Sequence, residues 1–320
     1  MKTISIARNY IKRGWNPVPI SRRAKGPATD EWQLLTITAE NVAQYFNGTA
    51  QNIGVQLGPK SRGLCDVDLD CVEAMRLARY LLPPTEAVFG RASAPRSHYL
   101  YVVTDPAPET AIKHHDENSE MIVELRLGAK PNKGAQTVFP GSQHKETGEL
   151  IEWASEGEPL LVPYADLVRG VRGIAIGALL LRHWPKNSGG RHELARRVGG
   201  FLARAGYDEA AIGQLMEMVA REAGDEEAQD RVKAATDAAA GLAQGEHVYG
   251  WPSLKESLGE KVADALATSG SILRRSRYDN GFIGRTTFDN SCRPRSRPGV
   301  PENPRCLLSR LWRWQPTERS

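Results

Sequence analysis

The chain has 320 residues, of which 40% are hydrophobic and 25% are charged, and its formal net charge is +4. This composition is typical of a globular protein with one or two domains, and it excludes disorder throughout the chain. No apolar run reaches the roughly 18 residues of a membrane span, and no apolar signal-peptide core follows Met1. We therefore expect a cytoplasmic protein that does not bind membranes.

Residues 1–160 are predicted to form an α+β domain with a central, mainly antiparallel sheet. Apolar periodicity predicts a helix from Ile4 to about Gly14, and helices over Thr38–Phe46 and Cys71–Leu82 that begin at the caps Thr38 and Asp70. Short runs rich in β-branched and aromatic residues are bounded by turn residues and predict strands. These runs are 16–20, 53–58, 63–68, 98–103, 121–126 and 136–140.

Residues 161–268 change in texture to Ala, Leu, Arg and Glu, and they are predicted to form an all-α domain. Helical spacing continues across this region and is interrupted by segments that carry Gly and Pro. The predicted helices are 164–184, 190–205, 208–223, 226–242 and 254–267.

Residues 269–320 are predicted to be an Arg-rich tail. From Ser271 onward the chain has eleven Arg, no Lys and four acidic residues, a net charge of +7 that leaves −3 for the first 270 residues. A basic tail is compatible with a nucleic-acid-binding arm. Its lack of hydrophobic periodicity equally fits a disordered or out-of-frame segment, so we assign it no function.

The four cysteines do not have the spacing of a zinc site. They are separated by 6, 221 and 14 residues, whereas zinc sites pair their Cys or His ligands at short spacings. We therefore expect no zinc, and the low cysteine content fits a reducing compartment.

The segment Leu64–Asp70 carries three aspartates at alternate positions. Because alternate side chains of a strand share one face, Asp66, Asp68 and Asp70 are predicted to project together unless the strand ends first. Carboxylates so arranged repel one another unless a cation neutralises them. Hard divalent cations take such oxygen ligands and bridge them to substrate phosphates. The pattern indicates a metal clamp for phosphoryl or nucleotidyl chemistry, and a solvated strand end is the alternative.

Two later segments add to this pattern. Arg96, Ser97 and His98 lie at the start of an apolar strand and are suited to hold a triphosphate, although a structural histidine is the alternative. Glu124 lies inside the apolar run Ile122–Arg126, where a carboxylate is costly to bury unless it is paired or ligated. A salt bridge to a nearby arginine is the alternative there.

The order of these motifs resembles a known family. Asp66-Val67-Asp68, the Ser97-His98 segment, Glu124-Leu125-Arg126 and then Val138-Phe139-Pro140-Gly141-Ser142-Gln143-His144 follow Lys25-Gly26-Pro27 and Asn52-Ile53-Gly54-Val55. This series resembles the bifunctional primase-polymerase domain of the archaeo-eukaryotic primase superfamily, as found in phage and plasmid replicases. The resemblance covers about residues 4–155. It implies an RRM-like catalytic sheet, a two-metal mechanism with Mg²⁺ or Mn²⁺, and dNTP or NTP substrates.

The resemblance also implies roles for individual residues. It makes Asp66, Asp68 and Glu124 metal ligands and places His98 at the phosphates of the incoming nucleotide. The family pattern has Ser two residues before this histidine, whereas this chain has Arg96 there and Ser97 next to the histidine, so Arg96 is expected to share the phosphate contact. The remaining residues expected to line the nucleotide site are Arg126, Ser142, His144 and Lys25.

The helical region is similar to the one that follows the catalytic domain in such primases. Arg191, His192, Arg196 and Arg197 form a basic cluster near a helix N-terminus, which is suited to DNA phosphates. A solvated helical face is the alternative. The chain lacks a GxxxxGK[ST] motif, so a helicase is expected to be missing, truncated away or separately encoded.

The sequence thus predicts a primase-polymerase that acts on single-stranded DNA, in a phage or plasmid context and as a monomer, since no long apolar stripe is left uncovered. A catalytically weak DNA-binding replication module and a metal-dependent nuclease remain as alternatives. A relaxase is disfavoured, because His114 and His115 are adjacent and do not alternate with a hydrophobic residue.

Overall fold

The structure is a computed structural model that describes residues 3–27, 29–47, 51–128 and 134–270. Met1–Leu273 form one compact unit, and the division at residue 160 stays a prediction. The predicted tail lies outside the described residues, except that its first two residues, Ser269 and Gly270, end the last helix instead.

In the described residues, ten strands form two sheets, and nine of these strands pair antiparallel to their neighbours. The small sheet has the order β1-β2-β8, and the large sheet has the order β6-β7-β3-β5-β4-β9 with β10 added parallel to β5. The strands are β1 (Asn16–Ser21), β2 (Gln51–Gln56), β3 (Leu64–Leu69), β4 (Ala87–Arg91), β5 (Ala94–Val103), β6 (Ala111–His115), β7 (Met121–Arg126), β8 (Gln136–Val138), β9 (Ile151–Glu156) and β10 (Leu160–Val162).

Among the residues that the structure describes, three α-helices accompany the sheets and six follow them. The helices are α1 (Thr3–Lys12), α2 (Val42–Tyr45), α3 (Val72–Leu81), α4 (Tyr164–Arg182), α5 (Ser188–Arg204), α6 (Glu209–Glu222), α7 (Ala228–Ala243), α8 (Trp251–Leu258) and α9 (Glu260–Gly270). The prediction of an α+β fold with a mainly antiparallel sheet and a helical C-terminal region is confirmed, and its RRM-like character stays a prediction. In the described residues, no helix has both the length and the apolar content to cross a membrane.

Three predicted helix features are wrong. The helix at 254–267 is two helices, because Gly259 has φ +82° and interrupts it. Asp70 does not cap α3, whose N-cap is Cys71, and Asn41 rather than Thr38 precedes α2.

The two faces of the large sheet pack against different partners. Odd-numbered residues of β3, such as Val67, lie in a core shared with α3, α4 and the later helices. Even-numbered Leu64 belongs to a second core, between the large sheet, the small sheet and α1. This second core contains the aromatic residues Tyr10 and Trp15. Since alternate side chains point to opposite faces, Asp66 and Asp68 point away from the helices and toward the small-sheet side.

The two sheets approach closely where β2 and β7 end. Gly58 and Gly128 both have positive φ, at +78° and +61°. A Cβ atom on Gly58 would lie 2.5 Å from the carbonyl oxygen of Gly128. Glycine at both positions therefore lets β7 and the small sheet meet beside the strand position of Arg126.

His114 of β6 is buried with both ring nitrogens lacking a hydrogen-bond partner in the described part of the chain. Burial, together with the charges of Arg172 and His115, lowers its pKa to about 4. The imidazole of His114 takes up a proton near pH 6.5 in the unfolded state, but only near pH 4 in the folded state. The protein therefore loses stability as the pH falls from about 6.5 to about 4.

We expect the substitution His114→Leu to remove this pH dependence. The free energy of unfolding of the wild type should fall by about 2 kcal/mol more than that of the variant between pH 7 and pH 5. Urea unfolding at both pH values measures the difference. Parallel pH profiles for the two proteins would show that His114 is not held neutral.

Candidate active site

A row of charged residues crosses four adjacent strands on the face of the large sheet that points toward the small sheet. In this row His98 of β5 lies opposite Asp68 of β3, Asp68 opposite Glu124 of β7, and Glu124 opposite Lys113 of β6. Directly opposed side chains of antiparallel strands have Cβ atoms about 5 Å apart, where like charges destabilise the sheet. The pair Asp68 and Glu124 therefore needs a cation.

A second cross-strand pair, Asp66 and Arg126, supplies that cation. Asp66 lies opposite Arg126 in the register of β3 and β7. The guanidinium of Arg126 contacts all three carboxylates, with Nε 2.8 Å from Glu124 Oε2, Nη2 2.5 Å from Asp68 Oδ2 and Nη1 3.5 Å from Asp66 Oδ2. The alternation of β3 and β7 thus brings the three predicted acidic residues together around one arginine.

Asp66 is the most deeply buried acid of the cluster. Its side chain has no exposed surface, Thr137 of β8 donates a hydrogen bond to Oδ2 at 2.7 Å, and His98 Nδ1 lies 3.1 Å from the same oxygen. Burial disfavours the charge of Asp66, but His98, Arg126 and Thr137 outweigh this effect and hold its pKa below the usual value. Asp66 is therefore an ionised acceptor at the base of the site.

His98 is held in place by an aromatic ring and two carboxylates. Its imidazole stacks on Phe89 of β4, with ring centroids 4.5 Å apart and an interplanar angle of 12°. Burial opposes protonation of His98, but Asp68 and Asp66 outweigh it and raise the pKa of the imidazole. His98 is thereby poised as a second cation beside Arg126.

The donor set suits a hard divalent cation, because it consists of three carboxylates that converge from adjacent strands. As the side chains stand, however, the described residues contain no group of three His, Cys, Asp or Glu side chains arranged to hold a metal ion. In this arrangement the guanidinium of Arg126 contacts one oxygen of each of the three carboxylates.

The structure brings only some of the predicted nucleotide-binding residues to this cluster. Arg96 is exposed on β5 and its described partner is Tyr99, whose hydroxyl lies 3.4 Å from Nε. Ser97 is buried, and its Oγ lacks a hydrogen-bond partner among the described residues. Ser142 bridges to β2 instead, accepting from Ile53 N at 2.8 Å, so its hydroxyl serves the fold.

Lys25 and His144 both pair with Glu146. Lys25 Nζ lies 2.8 Å from Glu146 Oε1, and His144 Nε2 lies 3.0 Å from Glu146 Oε2. The backbone oxygen of Lys25 accepts a hydrogen bond from Gln136, the neighbour of Thr137. Their predicted contact with the nucleotide stays a prediction.

Three residues of the cluster, Thr137, Lys113 and Phe89, are not predicted from the sequence. Thr137 belongs to a predicted strand, but its contact with Asp66 joins two different sheets, which alternation within one strand does not reveal. Lys113 lies on β6 and Phe89 on β4, two strands that the sequence analysis did not predict. Asp70 follows β3 beside the cluster, where partial desolvation and then the Asp68 carboxylate raise its pKa to about 7.

The four basic residues predicted to bind DNA all have acidic partners. Arg191 pairs with Asp225 and Glu226, His192 with Asp230, and both Arg196 and Arg197 with Glu193. The pairs of Arg191 and His192 hold α5 to neighbouring segments of the helical region, whereas the pairs with Glu193 lie within α5. They are typical of a structural face, and the DNA contact of these residues stays a prediction.

The helical region contains a buried arginine with several polar partners. Arg231 of α7 is 1% exposed, and its Nε lies 3.0 Å from Oδ2 of the buried Asp225. Its Nη2 donates to Ser188 Oγ at 2.9 Å and to Glu227 Oε2 at 2.6 Å. Arg231 therefore ties the start of α5 to the segment between α6 and α7.

We expect Arg231→Met to leave the Asp225 carboxylate buried without its main partner. Such a loss destabilises a protein by about 3–5 kcal/mol, measurable by urea unfolding. The matched control is Arg221→Met, because Arg221 is exposed and its pair with Glu217 on the helix surface is worth less than about 1 kcal/mol. Equal effects of the two substitutions would contradict the structural role of Arg231.

Comparison with known proteins adds an independent finding. The family model described as bifunctional DNA primase/polymerase, N-terminal, matches residues 7–167, just over half of the chain. The comparison with curated proteins finds no match. The matched region contains every residue of the carboxylate cluster, from Asp66 to Thr137. The chain therefore belongs to the family of bifunctional DNA primase/polymerases, with its N-terminal domain at residues 7–167.

Proposed function

We propose that this protein is a nucleotidyltransferase that joins dNTPs or NTPs into a strand complementary to single-stranded DNA, using two divalent cations. The observation that carries the proposal is the convergence of Asp66, Asp68 and Glu124 around one guanidinium, within the family's matched region. Three carboxylates directed at one point are what nucleotidyl transfer by two metal ions requires.

Asp66, Asp68 and Glu124 are the residues that would hold Mg²⁺ or Mn²⁺. When bound, such ions activate the attacking 3′-hydroxyl and neutralise the charge of the leaving pyrophosphate. Asp66 is buried, accepts a hydrogen bond from Thr137 and forms the innermost part of the site. Asp68 and Glu124 lie at its more open side, each with 11% of its side chain exposed.

His98 and Arg96 are proposed to meet the triphosphate. The imidazole of His98 holds a proton readily because two carboxylates face it, and its stacking on Phe89 fixes the ring. Arg96 lies two residues before it on β5, is exposed, and has no ion pair among the residues that the structure describes. Positive groups fixed where phosphate charge develops lower the barrier to transfer.

The direct test is nucleotide incorporation by Asp66→Asn and Asp68→Asn on single-stranded DNA, with and without a primer. We expect each substitution to reduce incorporation by about a thousandfold or more, because the loss of a metal ligand removes several kcal/mol of transition-state stabilisation. The assay uses labelled dNTPs and NTPs with Mg²⁺ or Mn²⁺, so it also reports the sugar preference.

The matched control is Asp237→Asn, an exposed aspartate of α7 that pairs with Lys233. It should retain wild-type incorporation, and thermal unfolding of all variants confirms that they fold. Near-normal incorporation by Asp66→Asn would contradict the proposal. Metal-dependent shortening of the DNA by the wild type, without extension, would instead assign these carboxylates to a nuclease.

A further inference from the structure

Arg126 contacts three carboxylates, whereas a simple salt bridge joins an arginine to one. Its three guanidinium nitrogens each lie near a carboxylate from a different residue, at 2.5, 2.8 and 3.5 Å. Nη1 also lies 3.3 Å from Thr137 Oγ1, the hydroxyl that donates to Asp66. The guanidinium therefore lies at the point where the three acids converge.

The charges explain why a cation stays at this point. Asp68 and Glu124 are directly opposed across β3 and β7, and Asp66 is fully buried beside them. The other two cations of the described cluster each reach fewer of the acids: His98 contacts Asp66 and Asp68, and Lys113 contacts Glu124 Oε1 at 3.2 Å. Arg126 is thus the cation that neutralises all three acids together.

A divalent cation held at the point where the three acids converge would bind carboxylate oxygens that Arg126 contacts. Asp68 Oδ2, Glu124 Oε2 and Asp66 Oδ2 all face the guanidinium, and Mg²⁺ binds carboxylate oxygens at about 2.0–2.1 Å. An ion so placed would lie within a few ångströms of the guanidinium, where like charges repel strongly in a partly buried site. The two cations therefore compete for one position.

Arg126 lies at the solvent-accessible end of its strand. It is the last residue of β7, and 24% of its side chain is exposed, compared with none for Asp66. Rotation about the side-chain bonds of Arg126 would carry the guanidinium toward solvent without breaking the backbone pairing of β7. A neutralising group placed at a strand end is therefore removable without unfolding the sheet.

We propose that Arg126 is an internal counterion that occupies the cation position in the metal-free protein and is displaced when divalent cations bind. This inference rests on the proposed metal site at Asp66, Asp68 and Glu124. It makes metal loading an exchange of one cation for another, in which the guanidinium of Arg126 leaves the three carboxylates.

The test compares Mn²⁺ affinity, measured by electron paramagnetic resonance titration without nucleotide, in the wild type and in Arg126→Gln. Removing one unit charge about 4 Å from the ion should tighten Mn²⁺ binding about tenfold. Arg126→Lys keeps the charge but cannot reach three carboxylates at once, so its affinity should lie between the two. The matched control Lys113→Gln removes a half-exposed cation at the rim, and its effect should be clearly smaller than that of Arg126→Gln.

Thermal unfolding gives a second readout that does not depend on activity. Arg126→Gln should melt below the wild type in EDTA, because its carboxylates repel, and Mn²⁺ should raise its melting temperature by more than that of the wild type. Unchanged or weaker Mn²⁺ binding by Arg126→Gln would overturn the inference while leaving the proposed function intact. Wild-type Mn²⁺ affinity in the double variant Asp66→Asn/Asp68→Asn would overturn the metal site itself.

Discussion

The structure is organised around the electrostatic cost of placing three carboxylates side by side on one buried sheet face. Asp66, Asp68 and Glu124 lie on adjacent strands, in register, at a depth where water screens them little. A fold tolerates such an arrangement only if cations are supplied. Arg126, His98 and Lys113 supply them in the described structure, each from a strand next to one of the acids.

The architecture on both sides of the sheet serves this constraint. The odd-numbered face of β3 and β7 is anchored to α3 and α4 through an aliphatic core, so the strands that carry the acids are fixed from behind. The small sheet closes the other face, and Thr137 of β8 reaches across to Asp66. An aromatic cluster that includes Phe89, Phe139 and Trp153 fills the space between the sheets and ends against His98. The acids and His98 are therefore held by packed neighbours on both faces of the sheet.

The strands that carry the acids, and the shared face of the acids, could be predicted from the sequence. The runs at 64–69 and 121–126 are continuous and apolar except for their acids and Arg126, so both the strand and the face of each acid follow from alternation. Strands β4 and β6 were missed because Gly90 interrupts the first and the second is short and half polar. Strands β9 and β10 were missed as well, and β9 alternates buried and exposed residues at the edge of the sheet. The contact partners of the acids, Thr137 and Lys113, come from elements whose pairing depends on tertiary structure.

The most direct test of the account is a crystal structure with Mn²⁺ and a non-hydrolysable nucleotide, in which anomalous scattering locates the metal without reference to the protein model. The account predicts manganese peaks at coordination distance from the oxygens of Asp66, Asp68 and Glu124, with the guanidinium of Arg126 turned away from them. Manganese bound elsewhere, with Arg126 still joined to all three carboxylates, would contradict it.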